Sequence, residues 1–89
     1  MKIASFDTPE VQITAVYFRP SKQQRLESYP KRMVVGDQEY TLMENGMRYL
    51  IHKGQALIKL FDVSDGHNQY RLRLDEDQRW TLVGTKVAV

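Results

Sequence analysis

The sequence predicts a small all-β domain, because turn signals recur at short intervals between short runs of strand-forming residues. The chain has 89 residues, enough for one small domain. After residue 30, turn signals lie at 36–37, 45–46, 53–54, 64–68 and 75–78. The runs between them are rich in Val, Ile, Leu, Tyr, Phe and Thr. We therefore expect an antiparallel meander of five to six strands, curled into a partly open barrel or roll, with a two-layer sandwich as the alternative.

The first strand is expected at residues 11–18, before a basic segment at 19–32 that reads RPSKQQRLESYPKR. This segment contains five Lys or Arg residues and one carboxylate, whereas the other 75 residues hold eight cations and ten anions. The whole positive excess of the chain therefore lies in the segment. Ser21 and Gln24 have the spacing of a capping box, so residues 21–27 are expected to form a short helix of one or two turns.

The meander is expected to span residues 31–86, and the turn positions predict how its strands pair. The expected cross-strand pairs are Leu42–Tyr49, Ile51–Ala56, Tyr49–Ile58, Leu60–Leu72, Ile58–Leu74, Leu74–Trp80 and Leu72–Leu82. One face of the sheet then collects most apolar side chains and is expected to form the core. Its members are Met33, Val35, Tyr40, Leu42, Tyr49, Ile51, Ala56, Ile58, Leu60, Tyr70, Leu72, Leu74, Trp80 and Leu82.

The opposite face of this expected sheet is half basic and half apolar. Its basic half is a row on three adjacent strands, Arg48, Lys59 and Arg73, with Arg71 close by. Its apolar half consists of Met43, Leu50, Leu57, Phe61 and Val83. Either the first strand packs over the apolar half, which we favour, or the face receives an anionic partner, a protein or a second copy of the chain.

The basic segment has two alternative interpretations. Its charges either keep a connector solvated, which we favour, or contact phosphates. Tyr29 and Phe61 are the aromatic side chains expected to be available for stacking with bases. The residues expected to contact a partner are Arg19, Lys22, Arg25, Tyr29, Lys31, Arg32, Arg48, Lys59, Phe61, Arg71 and Arg73. The sequence contains none of the signature motifs of nucleic-acid-binding domains.

No catalytic residue, cofactor, metal or small-molecule substrate is expected. The chain has no cysteine, and its histidines, His52 and His67, fall at opposite ends of the expected meander. A zinc site needs three or four ligands close together. The oxygen-bearing side chains of residues 62–68 lack the order of a calcium-binding loop. Nucleophile-elbow and phosphate-loop patterns are also absent from the sequence.

We expect residues 1–89 to form a single non-catalytic module for protein interaction or structure, with self-association as one form of it. The alternative is a small nucleic-acid-binding domain that uses the basic segment and the basic sheet face. The lack of cysteine fits a cytoplasmic protein. The first ten residues lack the apolar run of a signal peptide, and no apolar stretch is long enough to span a bilayer, so no membrane partner is expected.

Overall fold

The computed structural model describes residues 10–87, which form one antiparallel sheet of seven strands. The strands are β1 (Glu10–Pro20), β2 (Leu26–Val35), β3 (Gln38–Thr41), β4 (Met47–Lys53), β5 (Ala56–Ser64), β6 (Asn68–Leu74) and β7 (Trp80–Val87). The all-β prediction is confirmed, but the expected strand number is too low, and none of residues 10–87 is helical. This part of the chain therefore offers no helix that could cross a membrane. Residues 1–9, which hold most of the segment examined for a signal peptide, lie outside the described residues.

The order of strands in the sheet is β3-β2-β1-β7-β6-β5-β4. Every strand lies beside its neighbour in sequence except β3 and β4, which stand at the two ends of the sheet. The sheet is therefore not closed into a barrel, and we call the opening between β4 and the β2–β3 end the seam. Residues 42–46 cross the seam. The amide of Leu42 donates to the Lys31 carbonyl on one side, and the amide of Met43 donates to the Ser64 carbonyl on the other, each over 2.7 Å.

The inner face of the curled sheet encloses the core. Tyr29 from β2 packs edge-on against Phe61 from β5, and Tyr40 from β3 packs on Tyr70 from β6, so the two halves of the sheet face each other. The buried cluster consists of Val11, Tyr29, Met33, Leu42, Phe61, Val63, Tyr70 and Leu72. The first strand does not pack over a separate face as expected, because β1 lies within the sheet beside β2 and β7.

The basic segment forms a β-hairpin, and the expected short helix is wrong. Ser21 organises a tight turn. Its amide donates to the Arg25 carbonyl over 2.7 Å, and its hydroxyl accepts the amides of Gln23 and Arg25. Serine side chains favour such turns as readily as helix caps. A helix here would also have had only one apolar side chain, Leu26, to bury.

Two of the expected turns close as predicted. The turn at 36–37 joins β2 to β3 and places Val35 opposite Gln38. The loop after β6 places Trp80 opposite Leu74 and Leu82 opposite Leu72, which confirms both expected pairs. Trp80 is half-buried against the core, with its ring centroid 5.1 Å from that of Phe61.

The expected pairing of β4 with β5 is wrong by two residues, because the turn is formed by Gly54 and Gln55. Gly54 has a φ of 62°, and glycine adopts this left-handed conformation at the first turn position without a steric cost. Tyr49 therefore lies opposite Leu60, and Ile51 lies opposite Ile58. The expected Leu42–Tyr49 pair is absent from the described residues, because the chain crosses the seam between β3 and β4.

The expected pairing of β5 with β6 is wrong by one residue, which reverses the faces of β4 and β5. The loop is tightened by the Asp65 carboxylate, which accepts the amides of His67 and Asn68 over 2.8 Å each. Ser64 therefore pairs with Gln69, and Phe61 takes the place opposite Leu72 that was expected for Leu60. Phe61 and Val63 are therefore buried in the core, whereas Tyr49 and Ile51 are exposed and Leu60 is half-buried. Ile58, which was expected in the core, is buried as predicted, although it lies on the same face of β5 as Leu60.

Candidate functional site

One ion pair joins the two sides of the seam, and a second links β2 to the crossing segment; both use cations that were expected to bind a partner. Arg48 on β4 contacts Glu27 on β2, with 2.9 Å between Nη1 and Oε2. Lys31 on β2 pairs with Glu44 in the crossing segment. The Arg48 and Glu27 side chains retain only 17% and 24% exposure, so this pair is partly shielded from water. The Arg48–Glu27 pair therefore connects β4 to β2 where the backbone ladder is interrupted.

Gly46 is a second point of attachment across the seam. Its carbonyl accepts a hydrogen bond from Arg19 Nη2 over 2.6 Å, and its amide donates to the Tyr17 hydroxyl over 3.3 Å. The Arg19 guanidinium carbon also lies 4.0 Å from the centroid of the Tyr29 ring, a cation–π geometry. Arg19 therefore packs between β2 and the crossing segment, rather than extending into solvent.

Arg71 and Arg73 point outward and are neutralised by neighbouring carboxylates. Arg71 binds Asp62 through two hydrogen bonds of 2.7 and 2.8 Å, and Arg73 binds Asp75 over 2.6 Å. The Arg71 guanidinium lowers the pKa of Asp62 because it stabilises the carboxylate. Both arginines are thereby engaged by acids of their own chain.

The expected row of Arg48, Lys59 and Arg73 is not formed. Lys59 lies opposite Leu74, whereas Arg73 lies opposite Leu60, so these two cations are on different faces of the sheet. The reversal of β5 described above is the cause. The expected apolar half of that face is not formed either. The reversal of β5 places Phe61, one of its members, in the core.

The two aromatic residues expected to stack with bases are inside the protein. Tyr29 and Phe61 are 8% and 2% exposed, and their ring centroids are 5.9 Å apart in an edge-to-face contact. A base cannot reach either ring without opening the core. Both residues therefore pack in the core.

Three cations of the basic segment remain exposed: Lys22 and Arg25 in the turn and Arg32 on β2. None of them pairs with a carboxylate within residues 10–87. Lys59 also has no carboxylate partner in this part of the chain, but it is half-buried on the inward side of β5. Among the cations that were expected to contact a partner, these three are therefore exposed and unpaired in the described part of the chain.

These cations border an apolar patch on the outer surface of the β1–β2 hairpin. Side chains alternate along β1, so Tyr17 points to the core while Val16 and Phe18 point outward. Phe18 is 60% exposed, and Leu26 across the ladder is 70% exposed. Phe18 lies opposite Ser28, and Leu26 lies opposite Pro20, which makes Phe18 and Leu26 diagonal neighbours.

We call this surface the hairpin face, defined by the outward residues Val16, Phe18 and Leu26 with the bordering cations Lys22, Arg25 and Arg32. The described carboxylates of β1 and β2 are Glu10, at the far end of β1, and Glu27, which points inward to Arg48. The described residues of the hairpin face itself are therefore apolar and basic, and the exposed Glu39 on β3 is a diagonal neighbour of Arg32 at its edge.

The residues predicted to contact a partner did not include Val16, Phe18 or Leu26. A usable signal was present, because Gln12 and Thr14 alternate with Val11 and Ile13 at the start of β1. Continuing that alternation places Val16 and Phe18 on the polar, outward side. Leu26 had no such signal, since its orientation depends on the hairpin pairing.

The Asp65 carboxylate in the loop after β5 is already hydrogen-bonded within its own part of the chain. Asp65 accepts two backbone amides and the Tyr70 hydroxyl, the last over 2.7 Å. These bonds lower the pKa of Asp65, with the Asn68 amide as the largest cause. Within residues 10–87, no three His, Asp or Glu side chains are grouped so that they could hold a metal ion.

Comparison with known proteins gives no significant match to a protein-family model, a curated protein or a solved structure. The proposed function therefore rests on the hairpin face.

Proposed function

We propose that this protein is a non-catalytic protein-interaction module whose hairpin face docks a partner protein with an acidic, partly apolar surface. The observation that carries this proposal is the exposure of Phe18 and Leu26 side by side on a regular hairpin. Large apolar side chains that cluster on the surface of a small domain are characteristic of interaction sites. Aromatic residues are also enriched at the centres of such sites.

The charge of the hairpin face favours an acidic partner. Lys22 and Arg25 lie in the turn at one end of the apolar side chains, and Arg32 lies on β2 toward the other end. The described residues of the face itself include no carboxylate. Cations around an apolar centre accelerate association with an acidic protein and disfavour basic ones. In this arrangement the cations select an acidic partner, and the apolar side chains supply most of the binding affinity.

The links across the seam support the same proposal, because they hold the hairpin in place. Arg19 and Tyr17 on the inner side of β1 bind Gly46, and Glu27 on β2 binds Arg48. A docking surface on a rigid element loses less conformational entropy on binding than one on a flexible arm. Arg19, which points inward, thus stabilises the hairpin whose outer surface carries Lys22, Arg25 and Arg32.

A second candidate, binding of single-stranded nucleic acid, is favoured by one observation. Phe18 is an exposed ring beside cations, which is an arrangement that can stack a base. Three exposed cations would neutralise about three phosphates, which gives a log–log salt slope of roughly −2. Such binding would be weak at physiological salt, so we place this candidate second.

The test is fluorescence anisotropy with a labelled peptide of about 16 residues in which Glu and Leu alternate, and with an oligothymidylate of similar length. The Phe18→Ser/Leu26→Ser variant should bind the peptide at least about 10-fold more weakly than the wild type. The matched control is Leu50→Ser/Val83→Ser, which removes two exposed apolar residues elsewhere and should bind like the wild type.

Equal peptide affinity of the two variants, or the absence of peptide binding by the wild type, would refute the proposal. If the oligothymidylate alone binds, and binding is lost in Phe18→Ser/Leu26→Ser, the nucleic-acid candidate replaces it.

A further inference from the structure

The segment that crosses the seam contains an asparagine followed by a glycine, Asn45–Gly46, which is a chemically labile pair. In such a pair, the backbone nitrogen of the glycine can attack the side-chain amide of the asparagine and form a cyclic succinimide. Glycine favours this reaction because it has no Cβ atom to hinder the nitrogen or to restrict the backbone. Asn45 is exposed, so its side-chain amide is in contact with water.

The fold requires glycine at position 46 for a reason unrelated to this reaction. Gly46 is buried, and a Cβ atom there would lie 3.1 Å from Val63 Cγ1 and 3.3 Å from the Asp62 carbonyl oxygen. Its φ is not positive, in contrast to that of Gly54. The close approach to β5 therefore selects glycine here, and the labile pair is a consequence of that packing.

The contacts of Gly46 also restrain its nitrogen. The Gly46 amide donates to the Tyr17 hydroxyl over 3.3 Å, and its carbonyl accepts from Arg19 Nη2 over 2.6 Å. Succinimide formation requires a rotation of the peptide plane between Asn45 and Gly46 that brings the nitrogen onto Asn45 Cγ. This rotation breaks the bond to Tyr17, while the bond from Arg19 holds the next peptide plane in place.

We propose that Asn45 is a deamidation site whose reaction rate is controlled by the two hydrogen bonds at Gly46. The reaction proceeds from the fraction of molecules in which the crossing segment has opened locally, so it is slow while both bonds are formed. Breaking either bond raises that fraction and accelerates the reaction.

The chemistry needs only water and a base from the solvent. The Gly46 nitrogen loses its proton to the base and forms a bond to Asn45 Cγ. The bond from Cγ to the side-chain nitrogen breaks, and ammonia leaves after taking a proton from the solvent. Water then opens the ring and leaves aspartate or isoaspartate at this position. No group is oxidised or reduced.

The isoaspartate product weakens the seam. Its main chain runs through the former side chain, which adds one carbon atom to the backbone immediately before Gly46. The crossing segment is attached on both sides of this point, through Met43 to β5 and through Gly46 to Tyr17 and Arg19. The added atom shifts Gly46 relative to its partners. Deamidation thus converts a transient opening of the seam into a permanent one.

Mass spectrometry of peptides from the incubated protein measures the reaction, because deamidation adds about 1 Da. At mildly alkaline pH, the folded wild type should deamidate at Asn45 at least about 10-fold more slowly than the same chain unfolded in urea. Tyr17→Phe, which removes the hydroxyl and keeps the ring, should raise the rate in the folded protein at least about 3-fold. Tyr40→Phe is the matched control, since it removes the hydroxyl of another half-buried tyrosine and should react like the wild type.

Arg19→Met removes the second hydrogen bond and should also accelerate the reaction in the folded protein. In urea, all variants should react at the wild-type rate, because each keeps the same Asn–Gly pair. Equal rates for the folded and the unfolded wild type would overturn the proposal, as would a wild-type rate in folded Tyr17→Phe. Isoaspartate-containing protein, separated by ion exchange, should have a lower Tm than the original chain; an equal Tm would refute the weakening of the seam.

Discussion

Arg48 on β4 and Glu27 on β2 form an ion pair across the seam, with 2.9 Å between Nη1 and Oε2. Their strands do not pair in the described sheet, so the ion pair connects parts of the fold that the backbone ladder leaves apart. Arg19 and Lys31 make similar links to Gly46 and Glu44. Two of the five cations of the basic segment, Arg19 and Lys31, therefore have a structural role that is independent of any partner.

Replacing Arg48 by Met should lower the free energy of unfolding by about 1–2 kcal/mol, because Glu27 would keep a partly shielded charge without its partner. Urea denaturation measures this change. The control is Arg71→Met, which removes an outward arginine from a more exposed pair and should have a smaller effect. An equal or larger loss in Arg71→Met would contradict a special role for the seam.

Gly46→Ala should destabilise the protein by about 1–3 kcal/mol through crowding. A Cβ atom at this position would lie 3.1 Å from Val63 Cγ1 and 3.3 Å from the Asp62 carbonyl oxygen. Gly84→Ala is the control, because a Cβ there meets no atom within 4 Å. Thermal unfolding should show a lower Tm for Gly46→Ala only; matching Tm values would show that the crossing segment is not tightly packed.

Phe61→Ala should cost about 3–5 kcal/mol, because it removes a large, fully buried ring from the core. Phe18→Ala should change stability by less than about 0.5 kcal/mol, because Phe18 faces solvent. Denaturant unfolding of the two variants tests the assignment of one phenylalanine to the core and the other to the surface. Similar losses of stability would mean that the faces of β1 or β5 are assigned incorrectly.

The pH dependence of stability should reflect Asp65, whose pKa is lowered from the ordinary 3.8 by its hydrogen bonds. A carboxyl with a lower pKa in the folded state stabilises the fold above the unfolded pKa, and this contribution is lost as pH falls through the folded value. The Tm of the wild type should therefore decrease below about pH 4.

Asp65→Asn should flatten this decrease, since its side chain does not titrate. Asp37→Asn, at a turn in which no carboxylate hydrogen bond is described, should retain the wild-type profile. An unchanged slope in Asp65→Asn would indicate that another acid is responsible.

The sequence was sufficient to predict the fold class and several turns, because these depend on local chemistry. Gly36–Asp37 closes a two-residue hairpin, and the alternation in YRLRL places Tyr70 and Leu72 in the core. The pairing of Trp80 with Leu74 followed from the position of the loop between them. In each case, the residues that determine the structure are close together in the chain.

The registers of β4 and β5 could not be obtained in the same way. One side-chain carboxylate, Asp65, shortens a loop by one residue, and this is enough to exchange Leu60 for Phe61 in the core. The candidate site was even harder to predict from the sequence. The Arg48–Glu27 pair joins residues distant in sequence, and the separation of inward from outward cations depends on such contacts.

The central claim, that the hairpin face docks an acidic and partly apolar partner, is tested most directly by methyl NMR during titration with the Glu–Leu peptide. We predict that the methyl signals of Val16 and Leu26 shift as peptide is added, whereas those of the buried Val63 and Leu72 keep their positions. Shifts confined to Leu50 and Ile51 on β4, or an unchanged spectrum at saturating peptide, would contradict the claim.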